Sequence, residues 1–138
     1  TLLMNMRNYR GSGVQHRALS TSRDGGLTWS PVTHDEALIE PVCQASLVRL
    51  GEARPGGEDR LLFSNPASTA REKMTVRLSR DGGKTWPAAG LLHAGPAAYS
   101  CLCALPDGRI GCLYERGAAN PYESIALARF SLEWLSGR

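Results

Sequence analysis

Residues 22–29 read SRDGGLTW and residues 79–86 read SRDGGKTW, identical at every position but one. A phrase repeated within 138 residues forces one supersecondary unit to occur at least twice, and it restricts the fold more than any other feature of the chain. The phrase is built to turn. Its Asp carboxylate accepts backbone N–H groups across a reversal. Its glycines permit positive φ, and its Trp packs beneath the turn and seals an edge. Both copies therefore read as hairpin devices. A catalytic carboxylate present in every repeat would have no single substrate to serve.

Short apolar runs lie between the turns, at 1–6, 16–22, about 30–34, 45–50, 60–65, 74–79, 89–94, 99–105, 109–115 and 124–130. Most have strand length and are bounded by Gly, Pro, Asn or Asp. Helical periodicity is confined to SLEWL at the end. PDGR at 106–109 places Asp-Gly between two runs, a strong hairpin signal, and EARPGGED at 52–59 reads as a longer polar loop. The chain is predicted to be all-β. Aligned on the repeated phrase, the middle unit is a four-stranded antiparallel meander, the form of a propeller blade. Asp24 and Asp81 are 57 residues apart, somewhat beyond the usual blade repeat of about 40–50, and the 52–59 loop absorbs the excess. The first unit lacks its first strand and the last has three strands. The expectation is about three blades, at roughly 1–39, 43–94 and 99–135, belonging to a ring that closes with more. The chain also opens on Thr1 directly into an apolar run, which suggests a piece of a longer polypeptide.

A formal charge of +3 with Lys and Arg scattered gives no nucleic-acid footprint. No apolar run approaches a membrane span, and no signal-peptide pattern is present. Cys43, Cys101, Cys103 and Cys112 fit no zinc spacing. They read as buried small hydrophobes, with a disulfide through Cys112 as the alternative. Arg10, Arg17, Arg49, Arg60 and Arg77 read as solvated or snorkelling. Tyr9, Tyr114 and Tyr122 read as core or rim residues, and the three histidines as surface residues. HDEALIE and AREK read as solvated loops, and nothing in the spacing of Asp35, Glu36 and Glu40 makes a carboxylate pair.

The phrase S-x-D-x-G-x-T-W resembles the Asp box of sialidases, a motif that also occurs in non-enzymatic propellers. Other segments carry a sharper resemblance. LLMNMRNYRGSG at 2–13 looks like the segment holding the second arginine of the sialidase triad, here Arg7. LLFSNPASTAREKMTVRLS at 61–79 looks like that of the third, Arg71. AAYSCLCALPDG at 97–108 looks like the segment of the nucleophilic tyrosine, Tyr99. GCLYERG at 111–117 looks like that of a glutamate bracing the first arginine, Glu115. EPVCQASL at 40–47 matches more loosely, with Gln44 near the glycerol or N-acyl side of the substrate. These matches run in the family's order, closest to bacterial-type retaining exo-sialidases, and imply a six-bladed propeller of which this chain is the C-terminal part.

The resemblance implies a glycoside hydrolase releasing terminal sialic acid from glycoproteins, glycolipids or oligosaccharides, with no metal or cofactor and in a secreted or periplasmic setting. Arginines suit the substrate carboxylate because their fork binds it bidentately. A neutral tyrosine replaces the usual carboxylate nucleophile, which that same carboxylate would repel. The family's first arginine, Asp acid/base and the Glu that activates the tyrosine have no counterpart in this sequence, so these residues alone are expected to be inactive. The alternatives are a non-catalytic Asp-box propeller binding sialylated glycans or proteins, and transfer of the sugar to an acceptor instead of water. In an up-and-down meander, all five candidates fall on one face of the ring and both Asp boxes on the other.

Overall fold

A computed structural model describes residues 1–9, 13–51 and 58–137. Residues 52–57 of the expected long loop, and Arg10, lie outside the described residues. Nine strands and one short helix are present among those described. They are β1 (Leu2–Met6), β2 (His16–Ser22), β3 (Thr33–Ile39), β4 (Ser46–Arg49), β5 (Leu61–Pro66), β6 (Glu72–Ser79), β7 (Ala88–Ala104), β8 (Ile110–Arg116), β9 (Ser124–Phe130) and α1 (Leu132–Ser136). Every strand pairing is antiparallel, with β1-β2-β3 forming one sheet and β4 through β9 a second run of neighbours. The predicted all-β class holds, and SLEWL forms α1 behind an N-cap at Ser131.

Two strands differ from expectation. The third run extends to Ile39, so most of HDEALIE is strand, not loop. The runs at 89–94 and 99–105 are one 17-residue strand. Its first half, through Pro96, pairs with β6, and its second half, from Ala97, pairs with β8. The Gly-Pro pair at 95–96 separates the two expected runs. It falls where the strand changes partner, with register shifts on both sides, so the missing Pro96 N–H interrupts neither ladder. The Pro96 carbonyl still accepts from Gly117 N–H at 3.1 Å.

Period-two alternation gives β5 and β6 a core on each side. On one side Leu62, Met74, Val76 and Leu78 meet Leu102, Ile110, Cys112, Tyr114, Phe130 and Leu135. On the other, Phe63 lies 5.8 Å from the Trp86 ring and 5.7 Å from the Arg17 guanidinium. Trp86 Nε1 donates to Asp35 of β3 at 3.0 Å. The β4–β7 sheet is therefore covered by β1–β3 on one face and by β7–β9 with α1 on the other. The expectation that Arg17 is solvated fails. It is buried against Phe63 and paired with Glu40, a partner 23 residues away that local sequence does not reveal.

The two repeated phrases adopt one design. Asp24 accepts from Thr28 N–H at 3.0 Å and Thr28 Oγ1 at 2.6 Å, and Asp81 from Thr85 N–H at 2.9 Å and Thr85 Oγ1 at 2.7 Å. Ser22 and Ser79 each donate to their Asp and accept from Gly26 and Gly83 N–H at 2.8 Å. Gly83 sits at φ 89, and a Cβ there would lie 2.9 Å from Leu3 Cδ2, so both backbone and space require glycine. The Thr28 hydroxyl and N–H hold Asp24 below the usual carboxylate range. For Asp81, slight burial pushes upward, but the Thr85, Ser79 and Lys84 hydrogen bonds outweigh it and bring the value to about 2.

All four cysteines are free thiols, which removes the disulfide alternative. Cys43 and Cys112 are buried as expected, and burial pushes the Cys112 thiol up to about 12. Cys101 and Cys103 are exposed. They do share a face of β7, but Ser100 and Leu102 point to the core, leaving the cysteines outside with Leu113 and Ile125.

Candidate functional site

Strand register decides which residues share an end of the sheets. Pro66 pairs with Met74 and Leu61 with Ser79, so Arg71 precedes β6 at one end and Asp81 follows it at the other. Ser46 pairs with Ser64, which brings Gln44 to the Arg71 end. Ala97 N–H donates to the Arg71 carbonyl at 2.8 Å, and Ala97 pairs with Arg116. Tyr99 and Glu115 therefore join the same end. Leu2 pairs with Ser22 and Met6 with Ala18, so Arg7 and Asp24 lie at opposite ends of their sheet. The five candidates and the two Asp boxes separate as the meander argument expects.

Three of the five, Arg71, Tyr99 and Glu115, form a contact network. Tyr99 N–H donates to Glu115 Oε2 at 3.0 Å. The Arg71 guanidinium stacks 5.6 Å from the Tyr99 ring centroid, a cation–π geometry. Its Nη2 donates to the Val42 carbonyl at 3.3 Å and its Nη1 to Tyr122 Oη. Arg71 is half-buried. Desolvation acts to lower its pKa, and the neighbouring Cys43, Tyr122 and Tyr99 reverse the sign, so the net shift is upward. Tyr99 presents 42% of its surface to solvent, unusual for an aromatic on a central strand but suited to a side chain meeting a ligand.

Gln44 is occupied differently from expectation. Its Oε1 accepts from Ser100 N–H and its Nε2 donates to the Ser100 carbonyl, both at 3.0 Å. The amide thus acts as an extra strand residue beside Tyr99. Gln44, Tyr99 and Glu115 line a depression of about 360 Å³ with Leu113 and Ile125. A larger groove of about 1400 Å³ runs past Asp81, Arg23 and Arg80 at the other end and contains none of the five candidates.

Arg7 approaches from the first sheet. Its guanidinium lies 5.1 Å from the Tyr9 ring centroid, and its Nε is buried with no partner among the described residues. Arg7, Arg71 and Glu115 all act electrostatically on the buried Cys43 thiol. Burial pushes that thiol up, with both arginines acting in the opposite direction.

Sequence reasoning missed Tyr122, read as an ordinary rim residue. It lies on a loop gathered by Glu123, whose carboxylate accepts from Ala118, Ala119 and Asn120 N–H, each at 2.8 Å. Gly117 makes that loop possible, since a Cβ there would sit 1.9 Å from the Asn120 carbonyl oxygen. The signal was Glu123 following Gly-Ala-Ala-Asn, a carboxylate placed to cap its own turn.

Comparison with known proteins supplies the family. A family model described as "BNR repeat-like domain" matches residues 1–112. The chain belongs to the BNR repeat-like family. This BNR repeat-like chain is 44% identical over 140 residues to a sialidase of Micromonospora viridifaciens, covering 99% of the chain and 21% of that protein. It is 40% identical over 126 residues to a sialidase of Bacteroides fragilis (strain YCH46), covering 86% of the chain and 22% of that protein. Among solved structures it matches the Hadza microbial sialidase Hz136 with a TM-score of 0.78 and 40% identity, over 96% of the chain and 25% of that structure. The fold is that of antiparallel blades from a sialidase β-propeller. The chain spans about a fifth of the length of the curated relatives it matches.

Proposed function

We propose that these residues form the nucleophile and carboxylate-binding part of a retaining exo-α-sialidase that releases terminal sialic acid from sialylated glycans. The observation that carries this reading is the convergence of Arg71 on the Tyr99 ring, with Glu115 held on the Tyr99 N–H. Arg7 lies at the end of its own sheet opposite the Asp24 turn, and its charge acts on the same Cys43 thiol as Arg71. Kinship to sialidases over nearly the whole chain supports it.

In this scheme Arg7 and Arg71 bind the substrate carboxylate through charge-assisted hydrogen bonds and fix the anomeric carbon above Tyr99. Tyr99 Oη attacks that carbon. Its proton passes to a glutamate, and the glycosidic oxygen leaves with a proton from an aspartic acid. Water then releases the sugar from tyrosine with the configuration retained. Glu115 braces the first arginine through the oxygen that does not hold Tyr99 N–H. The first arginine, the aspartic acid and the proton-accepting glutamate are proposed to come from sequence beyond these 138 residues, so this stretch alone does not turn over substrate. The blades at roughly 1–39, 43–94 and 99–135 are proposed to complete a ring with that sequence.

Tyr99→Phe in the full-length protein tests the reading. Hydrolysis of a fluorogenic sialoside should be abolished while sialic acid still binds. Turnover that survives the substitution would overturn Tyr99 as nucleophile. A propeller that only binds glycans would show no hydrolysis even before substitution. Robust turnover by the 138 residues alone would overturn the account of the missing groups.

A further inference from the structure

Behind the candidate site lies the one ion pair, among the described residues, with both side chains buried. Arg17 and Glu40 are 3% and 0% exposed, and Arg17 Nη1 meets Glu40 Oε2 at 2.7 Å. Such a pair seldom stabilises a fold more than apolar side chains of the same size, because both ions give up their hydration. Burial indeed pulls the Arg17 guanidinium below its usual pKa, with Glu40 acting against that.

The surrounding hydrogen bonds point to another role. Arg17 donates to Asn5 Oδ1 through Nε at 2.6 Å, to the Asn5 carbonyl through Nη2 at 3.3 Å, and to the Cys43 carbonyl through Nη1 at 2.9 Å. Glu40 accepts from Asn8 N–H through Oε1 and from Cys43 N–H through Oε2 at 3.4 Å. The pair therefore grips the chain on both sides of Arg7. It also grips both polar groups of Cys43, the residue between Val42 and Gln44. Val42 sits at φ 55, in the left-handed region that a β-branched residue avoids. A conformation of that kind persists only when its neighbours over-determine it. The bonds on Cys43 do so, and the Val42 carbonyl held in this way accepts from Arg71.

We propose that Arg17 and Glu40 are positioning residues: as a buried pair they clamp the Arg7 segment to the Val42–Gln44 segment and so set the separation and aim of Arg7 and Arg71. The inference rests on reading Arg7 and Arg71 as ligands of the substrate carboxylate. Neither Arg17 nor Glu40 touches substrate. An apolar pair of equal volume fills the space but satisfies none of the gripped N–H and carbonyl groups. It leaves the two guanidiniums free to drift, and a misplacement on the order of 1 Å is enough to cost a large factor in binding or rate.

The experiment uses the full-length protein and a fluorogenic sialoside, with KM, kcat and thermal unfolding measured for three variants. The variants are the double substitution Arg17→Met with Glu40→Leu, the isosteric Glu40→Gln, and Arg71→Lys. The double variant should unfold cooperatively but at a lower temperature than the wild type, because the buried Cys43 N–H and carbonyl lose their partners, and it should raise KM about tenfold, with kcat changed less than about threefold, because the carboxylate is held in ground and transition states alike. Glu40→Gln keeps one acceptor and should raise KM about threefold. It carries the test alone if the double variant does not fold. If Arg71→Lys raises KM while every folded clamp variant leaves it at the wild-type value, the positioning role is overturned and the site reading stands. If Arg71→Lys leaves KM unchanged, the site reading falls and the inference falls with it.

Discussion

Removing the Asp81 carboxylate should weaken the fold without touching the chemistry. Asp81 receives the N–H groups of Thr85 and Lys84 at 2.9 and 3.0 Å, the Thr85 hydroxyl at 2.7 Å and the Ser79 hydroxyl at 2.8 Å. A hydrogen bond contributes about 0.5–1.5 kcal/mol net, and the turn is exposed enough for water to replace part of each. Four at the bottom of that range give about 2 kcal/mol for Asp81→Ala. For a chain of this size that lowers Tm by roughly 6–8 °C. Asp81→Asn keeps one acceptor oxygen and should lose about half as much. Urea unfolding followed by tryptophan fluorescence measures both, since Trp86 ends the same phrase and packs on Phe63. The m-value should not change, because the folded state buries the same surface. In the full-length protein, at temperatures where the variant stays folded, KM and kcat should match the wild type. A loss below about 0.5 kcal/mol would refute the turn-closing role. A collapse of turnover in a fully folded variant would refute the separation of the Asp boxes from the site.

Acid should act through the same carboxylate. Asp81 titrates at about 2 in the folded state and near 3.8 otherwise, so its contribution is complete above pH ~4 and disappears as pH falls toward ~2; Tm measured across that window should drop less steeply in Asp81→Asn. Gly90→Ala should undock α1, because the new Cβ would lie 2.3 Å from Trp134 Cζ3 and 2.9 Å from Leu135 Cδ2. Exposing the buried Leu135 costs about 2 kcal/mol, and limited proteolysis should clip the C-terminal end sooner than in wild type. A maleimide reagent should label Cys101 and Cys103 in the native protein and reach Cys43 and Cys112 only after denaturation, which mass spectrometry reads directly.

Local chemistry was the legible part of this chain. Asp-Gly turns, apolar runs and the short SLEWL helix each carry their cause within a few residues, and the structure has them where that chemistry demands. The placement of Arg7, Arg71, Tyr99 and Glu115 at one end of the sheets followed from strand direction alone. What stayed hidden depends on distance along the chain. Glu40 reads as a solvated acid until the fold brings Arg17 to it. The alternation in YSCLCAL shows two faces but not which is inside, and the apolar reading put Cys101 and Cys103 on the wrong one. Gln44 is read near the glycerol or N-acyl side of the substrate, and nothing nearby in sequence reveals its engagement with Ser100. The separate runs at 89–94 and 99–105 join into one strand because a residue without N–H, Pro96, is harmless where a strand exchanges neighbours.

That exchange within β7 has a consequence for how the molecule opens. A flexible connection at 95–98 would let the β4–β6 side fray while the β8–β9 side stayed closed. A single 17-residue strand removes that option. Unzipping either ladder frees half of a continuous strand whose other half stays paired, so the two sides are mechanically joined and their amide protons should exchange with similar free energies. Tyr99 stands just past the crossover, three residues beyond Pro96. The register shift between Ala97 and Ser100 leaves the Tyr99 N–H to the Glu115 carboxylate, so the phenol depends on the β8 half of the strand and on Glu115.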